Sequence, residues 1–296
     1  MRIRLLTILT LFTVLVQSCV SQPPALSPTA TPISSPTPPP PPTATQEQPP
    51  PTSTNVPTLA AVEPTPEITW DETTADWGEL PCGEFLLVNN VWGKEDLTGY
   101  SQSIGIAGDP EACRFRWSWD WPRTSDGSVR AYPEIIYGWK PWSPASTTPS
   151  LPVQLSALEE LEIELTYITQ ADGRFNTAFD LWLTSTNPPT GETITREIMI
   201  WVGEAQMIPG GSRVASLEID GIPYSLYKVQ WDWTYLAFIQ ESEQATAIIP
   251  IADLLRYLVD NQHVQPDEYL ASIEFGNEIV YGSGQTQVDE FNVAIR

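Results

Sequence analysis

From about residue 80 to the end of the chain, apolar positions recur with a period of two. Leu161, Ile163, Leu165 and Tyr167 alternate with Glu160, Glu162 and Glu164, which marks a strand with one face buried and one face in water. Phe179, Leu181 and Leu183 alternate with Asp180, Trp182 and Thr184. Ile198, Ile200 and Val202 alternate with Glu197, Met199 and Trp201, and Phe291, Val293 and Ile295 close the chain in the same manner. Asn187-Pro188-Pro189, Pro209-Gly210-Gly211 and Asp220-Gly221 punctuate the runs as turns. One stretch changes period: Ile251, Leu254, Leu255 and Leu258 share a face at helical spacing, which predicts a short helix over 251–260. The pattern as a whole predicts an all-β domain, a sandwich of two antiparallel sheets with one short helix.

Two of these strands carry an unusual second face. Glu160, Glu162 and Glu164 form an ordinary solvated stripe, but Asp180 with Trp182, and Glu197 with Met199 and Trp201, set carboxylates beside large aromatic and thioether side chains. A concave surface for a sugar polymer needs that mixture. Pyranose rings offer CH-rich faces to indoles, and carboxylates accept hydroxyl hydrogen bonds or do acid–base chemistry.

Composition divides the chain before residue 67. Arg2 and Arg4 precede an apolar run from Leu5 to Val16, followed by Gln17-Ser18-Cys19. A basic start, an apolar stretch too short to prefer spanning a bilayer, and a small residue before cysteine read as a secretory signal over residues 1–18. The terminal cysteine makes it resemble a lipoprotein signal, with Cys19 the lipidated residue and the only link to the membrane. Residues 19–66 hold more than half of the chain's 30 prolines, among Thr, Ser and Ala. Such a segment cannot bury enough apolar surface to fold, and it is expected to be a disordered spacer of about 3.1 Å per residue. The folded domain is then residues 67–296, on the extracellular side. With Cys19 acylated, Cys82 and Cys113 remain, and an even pair in an oxidising compartment points to a disulfide.

Charge and histidine count exclude whole classes of chemistry. Against 37 Asp and Glu stand 14 Lys and Arg, for a net charge of −23. A phosphate backbone or an anionic lipid surface would be repelled, so nucleic acid is not a partner. The single histidine, His263, leaves no multi-histidine metal site and few nucleophile–histidine schemes. It reads as a surface residue beside the helix. Carboxylates remain, with no cofactor or metal required. Twelve Trp, ten Tyr and eight Phe exceed what a core of this size needs, leaving some for a binding surface.

An ordered set of segments then resembles glycoside hydrolase family 12: Asn89-Asn90-Val91-Trp92-Gly93, Trp119-Asp120-Trp121, Tyr132-Pro133-Glu134, Phe179-Asp180-Leu181-Trp182 and Glu197-Ile198-Met199-Ile200-Trp201. Ile273-Glu274-Phe275-Gly276-Asn277-Glu278, with Gly282-Ser283-Gly284 behind it, is similar to that family's acid–base motif. The resemblance spans about residues 80 to 296. It implies a β-jelly roll with a substrate cleft across the concave sheet. It implies Glu197 as nucleophile and Glu278 as general acid–base, Asp180 as a supporting aspartate, and Asn90 as the asparagine that holds the nucleophile. Met199 is expected to pack near the nucleophile, with Trp92, Trp201 and Trp121 binding substrate. Cys82 and Cys113 lie where some members carry a disulfide. One position departs: Ile279 follows Glu278 where many members have proline.

Two glutamates suffice to cleave a glycosidic bond through an oxocarbenium-like transition state, provided one is ionised while the other carries a proton. The expected activity is endo-acting, retaining hydrolysis of β-1,4-glucosidic bonds in cellulose, mixed-linkage glucan or xyloglucan, by a monomeric enzyme. A carbohydrate-binding surface lipoprotein without catalysis is the alternative. It has no need of both Glu197 and Glu278.

Overall fold

The computed structural model describes residues 68–241 and 246–296. The signal over residues 1–18, Cys19 and the spacer to residue 66 lie outside the described residues. The chain begins with three short strands, β1 (Asp71–Thr73), β2 (Glu79–Cys82) and β3 (Phe85–Val88). Then come β4 (Ser101–Ala107), β5 (Arg114–Trp121), β6 (Glu134–Gly138) and the brief β7 (Val153–Gln154). β8 (Leu161–Thr184), β9 (Ile194–Ala205), β10 (Ser212–Ile219), β11 (Ile222–Gln230), β12 (Thr234–Gln240) and β13 (Thr246–Ile249) lead to α1 (Ile251–Asp260). β14 (Tyr269–Gly276) and β15 (Ile279–Ile295) complete the fold.

Two curved layers share one strand. The outer sheet runs β1-β4-β5-β15 and ends on the first half of β8, with β13 beyond it. The inner sheet runs β2-β3-β6-β14, then the second half of β8, then β9-β12-β11-β10. This is the jelly-roll sandwich. Pairing is antiparallel except between β9 and β12, which run parallel because the β10–β11 hairpin intervenes before the chain returns beside β9. That hairpin closes on Asp220 and Gly221, both with positive φ (51° and 77°), the geometry of a primed two-residue turn.

Sequence periodicity marks two separate strands at 160–167 and 179–184, whereas β8 is continuous for 24 residues. The polar stretch between them is the crossing from one layer to the other. Gly173 there lies against Gly282 of β15, and a Cβ on Gly173 would meet the Tyr281 carbonyl oxygen at 2.2 Å. Only glycine allows the two backbones to approach that closely.

Between the layers sits the core. Phe275 and Phe179 of the inner sheet, 4.7 Å apart, pack against Trp117, Tyr167 and Phe291 of the outer one with ring centroids at 5.6–6.3 Å. Ile163, Leu165, Leu181, Leu183, Ile198, Ile200 and Val202 are buried in the same cluster, the alternate positions that periodicity assigns inward. α1 forms over the expected residues and buries Ile251, Leu254, Leu255 and Leu258; the Asn261 side chain closes its last turn by donating to the Tyr257 carbonyl. A Cys82–Cys113 disulfide, Cα–Cα 6.0 Å, staples the end of β2 to the entry of β5. Closing a loop of this length stabilises by roughly 3–4 kcal/mol in the chain-entropy model.

Candidate active site

The face of the inner sheet turned away from this core is chemically different. Side chains directly opposite on neighbouring strands share a face, so the registers define a floor. Across it lie Glu134 on β6, Ser272 and Glu274 on β14, Asp180 and Trp182 on β8, Glu197, Met199 and Trp201 on β9, and Tyr235 on β12. Trp182 stands opposite Glu197, Met199 opposite Asp180, and Glu274 opposite Asp180 on the other side. Asp180 and Glu197 are therefore diagonal neighbours.

Glu197 receives one strong donor. Trp233, just before β12, donates its indole N–H to Glu197 Oε2 at 2.6 Å. Trp233 also meets Trp182 edge to face at 5.3 Å, and Trp182 meets the exposed Trp142 in the same way at 4.9 Å. Met199 accepts from the Tyr235 hydroxyl (3.3 Å) and the Trp201 N–H (3.4 Å), which fixes the thioether beside Glu197.

Glu278 occupies the turn between β14 and β15 and is held by Asn176. The Asn176 amide donates to Glu278 Oε2 at 2.5 Å, and its Oδ1 accepts from the Glu278 backbone N–H at 3.0 Å. Asn277 anchors the turn from below: its amide donates to the Asn176 carbonyl and Thr177 Oγ1, and its Oδ1 accepts from Trp117 and Thr286. Ile279, the departure from the resembling motif, has a structural use. Its N–H, which proline would lack, donates to the Ala131 carbonyl at 3.0 Å, and its carbonyl accepts from Arg130 N at 2.7 Å.

Burial raises the pKa of Asp180, Glu197 and Glu278. Glu197 is pushed up to about 8, burial and the Glu278 charge outweighing the Trp233 hydrogen bond. Burial takes Glu278 up to about 7 against the pull of the Asn176 amide. Asp180, buried and facing Glu197 and Glu274, is held well above the usual carboxylate range. Its Oδ1 is buried without a hydrogen-bond partner in the structure.

Three expectations are corrected by this geometry. Asn90 does not hold Glu197; its amide donates to Glu134 Oε1 at 2.8 Å, and its Oδ1 accepts from the Trp92 backbone N–H at 3.0 Å. The residue that does hold Glu197 is Trp233. Trp121 is 1 % exposed, stacked on Tyr100 at 4.0 Å with its N–H donated to Gln102, which in turn donates to Asn89 and the Asn90 carbonyl. No face of it is open to a sugar. Trp201 is on the floor but only 2 % exposed, packed on Met199. Trp92, by contrast, is 57 % exposed.

Trp233, Asn176, Glu134, Lys140 and Glu274 are site neighbours that sequence reasoning did not single out. Glu134 and Glu274 stand inside the matched segments, but nothing in a strand pattern says that a glutamate there is buried. A sandwich whose curved inner face is floored by carboxyl groups, two of them glutamates with dedicated donors, has the parts of a glycoside hydrolase. The model of glycosyl hydrolase family 12 matches residues 83–296, and the chain belongs to that family. Endoglucanase S of Pectobacterium parmentieri is 32% identical over 222 residues, covering 72% of this chain and 82% of that protein. A xyloglucan-specific endo-beta-1,4-glucanase A of Aspergillus niger is 28% identical over 228 residues, 74% of this chain and 88% of its own length. Among solved structures, a family 12 xyloglucanase from Bacillus licheniformis superimposes with a TM-score of 0.70 at 28% identity, covering 76% of this chain and all of that one.

Proposed function

We propose that the chain's activity, endo-hydrolysis of β-1,4-glucosidic bonds in glucans, runs through Glu197 as nucleophile and Glu278 as general acid and base. The observation that carries this assignment is the separate tethering of the two glutamates on one floor: Glu197 on the Trp233 indole, Glu278 on the Asn176 amide. The Trp233 N–H favours the anion of Glu197. Burial raises Glu197 to about 8 and Glu278 to about 7, so the coupled pair holds one proton between those values; we assign it to Glu278 in the reactive form, in which the Trp233 N–H stabilises the Glu197 anion. Glu197 then attacks the anomeric carbon as Glu278 gives its proton to the departing glycosidic oxygen, leaving a glycosyl ester on Glu197. Glu278, now a base, takes a proton from water. The water oxygen displaces Glu197, and the sugar keeps its anomeric configuration.

Asp180, diagonal to Glu197 and buried beside it, either shares a proton with the nucleophile or tunes it. The relatives' names point to unbranched β-glucan and xyloglucan as the substrate class. Of the exposed indoles among the described residues, Trp77, Trp92, Trp142 and Trp231, we take Trp142, which packs on Trp182 of the floor, and Trp92, next to the Asn90 that bonds Glu134, as the ones that stack on glucosyl rings. The Cys82–Cys113 disulfide fits a secreted protein, and we assign Cys19 as its lipid anchor; incorporation of labelled palmitate by the full chain, lost in Cys19→Ala, tests that assignment.

The central test is release of reducing ends from soluble β-glucan and xyloglucan by residues 67–296. Glu197→Gln and Glu278→Gln are each expected to lose at least about 10²–10³-fold while remaining folded. A folded wild type that binds glucan and releases nothing would overturn the reading.

A further inference from the structure

Behind the two glutamates lies a second polar array that the hydrolytic chemistry does not use. Lys140, in the loop after β6, places its ammonium 2.9 Å from both oxygens of Glu134 and 2.6 Å from Glu274 Oε2. Both glutamates are fully buried, and the Lys140 side chain is 16% exposed. Each carboxylate has a further donor, Asn90 for Glu134 at 2.8 Å and Ser272 for Glu274 at 3.1 Å. One ammonium faces two buried carboxyl groups, and burial holds Glu134 well above the usual carboxylate range, so its proton limits the excess negative charge.

The cluster continues into the site. Glu274 stands directly across from Asp180 in the β14–β8 ladder, and Asp180 is diagonal to Glu197. Two acids directly opposed on a sheet repel, and here the ladder delivers that repulsion towards Glu197. Glu134 from β6 and Glu274 from β14 contact Lys140, and its charge also acts on Asp180 of β8 and Glu197 of β9. The Lys140 charge bears on both Asp180 and Glu197, and Glu274 acts on the same two acids with the opposite sign.

We propose that Lys140 is a positioning residue of the hydrolytic site: clamped between Glu134 and Glu274, its ammonium offsets the negative charge that Glu274 presents to Asp180 and Glu197, and thereby sets how far into the acid range Glu197 stays an anion. The proposal rests on the assignment of Glu197 as nucleophile. It predicts opposite consequences for two changes that break the same clamp.

Lys140→Met removes the offset, so Asp180 and Glu197 hold protons to higher pH. The acid limb of the kcat/KM profile moves up by about one pH unit, an interaction of the size expected between charges a few ångströms to ~8 Å apart near a protein surface. Glu274→Gln removes the negative charge with little change of shape, and the acid limb moves down. Lys140→Arg keeps the charge and retains the wild-type limb.

The experiment is the pH dependence of kcat/KM on soluble β-glucan for the four proteins. Carbon-13 NMR titration of the Glu197 carboxyl in glutamate-labelled protein, assigned by its loss in Glu197→Gln, runs in parallel. The expected result is an upward shift in Lys140→Met and a downward one in Glu274→Gln, in both readouts. Shifts of the same sign, or a fall in kcat with neither the limb nor the carbon resonance moving, assign the cluster a purely structural role and overturn the proposal. If Lys140→Met does not fold, the downward shift in Glu274→Gln still decides. Inactivity of the wild type would overturn the nucleophile assignment, while the NMR titration would continue to test the Lys140 coupling.

Discussion

The two faces of β8, β9 and β14 are made from alternate residues of the same strands and obey opposite rules. On the inward face Phe179, Leu181, Ile198, Ile200, Ile273 and Phe275 interlock with the outer sheet. On the other face the same strands offer Asp180, Trp182, Glu197, Met199, Ser272 and Glu274, most of them equally buried but loaded with charge. One face lowers the free energy of the fold. The other raises it, since burial holds Asp180 and Glu197 above the usual carboxylate range. The difference teaches that burial alone does not identify core. Which face is turned to the second sheet does.

The comparison can be broken from either side. The largest effect is expected on the inward face: Phe275→Ala empties the centre of five packed rings and costs about 3–5 kcal/mol of stability by chemical denaturation. The kcat/KM of the molecules that remain folded stays close to wild type. A Phe275→Ala protein with intact stability would refute the assignment of this face as the core.

On the outward face the first-ranked change is Trp233→Phe. It keeps the ring that meets Trp182 and deletes the N–H on Glu197, with an expected loss of roughly 10–10²-fold in kcat/KM and little loss of stability. The wild-type profile itself is expected to be bell-shaped. Its limbs report the glutamate pair as a unit, at about 7 and about 8, so activity falls below the first value as both acids protonate and above the second as both ionise. Trp233→Phe moves the acid limb upward, because the bond it removes favours the anion.

The smallest effect sharpens the contrast most. The folded-state pKa of Glu197 lies above its ordinary value near 4.5, so the native state holds the proton more tightly across that window. Stability is therefore lost as pH rises from about 4.5 to about 8. Glu197→Gln does not titrate. It should melt a few degrees higher than wild type at pH 8.5 and at nearly the same temperature at pH 4.5, while its activity is gone. Equal melting differences at both pH values would show that Glu197 carries no such burden.

Much of this contrast was legible in the sequence. The period of two assigned Leu161, Phe179, Ile198 and their companions inward, and it flagged Asp180, Trp182, Glu197 and Met199 as a face unlike a solvated one. The helix over 251–260 followed from its spacing. What stayed hidden depends on register between segments far apart in the chain. Nothing local says that Asn90 meets Glu134 instead of Glu197, or that Glu274 is set opposite Asp180. The burial of Trp121 and Trp201 was hidden for the same reason, since an indole on a strand reads alike whether a sugar or another ring covers it. The crossing of β8 escaped because Thr169 to Arg174 is polar and carries Gly173, features that ordinarily end a strand.

The carboxyl floor has one more consequence, for inhibition. Among the described residues, Glu134, Asp180, Glu197, Glu274 and Glu278 outnumber the Lys140 ammonium set among them, which makes the floor a receptor for positive charge as much as a reaction site. A glucose-shaped ring bearing a protonated nitrogen at the anomeric position would complete the charge balance that the floor lacks. Such a compound should bind more tightly than its neutral analogue, and its advantage should grow as the pH is raised and the floor gives up its protons, until the amine loses its own.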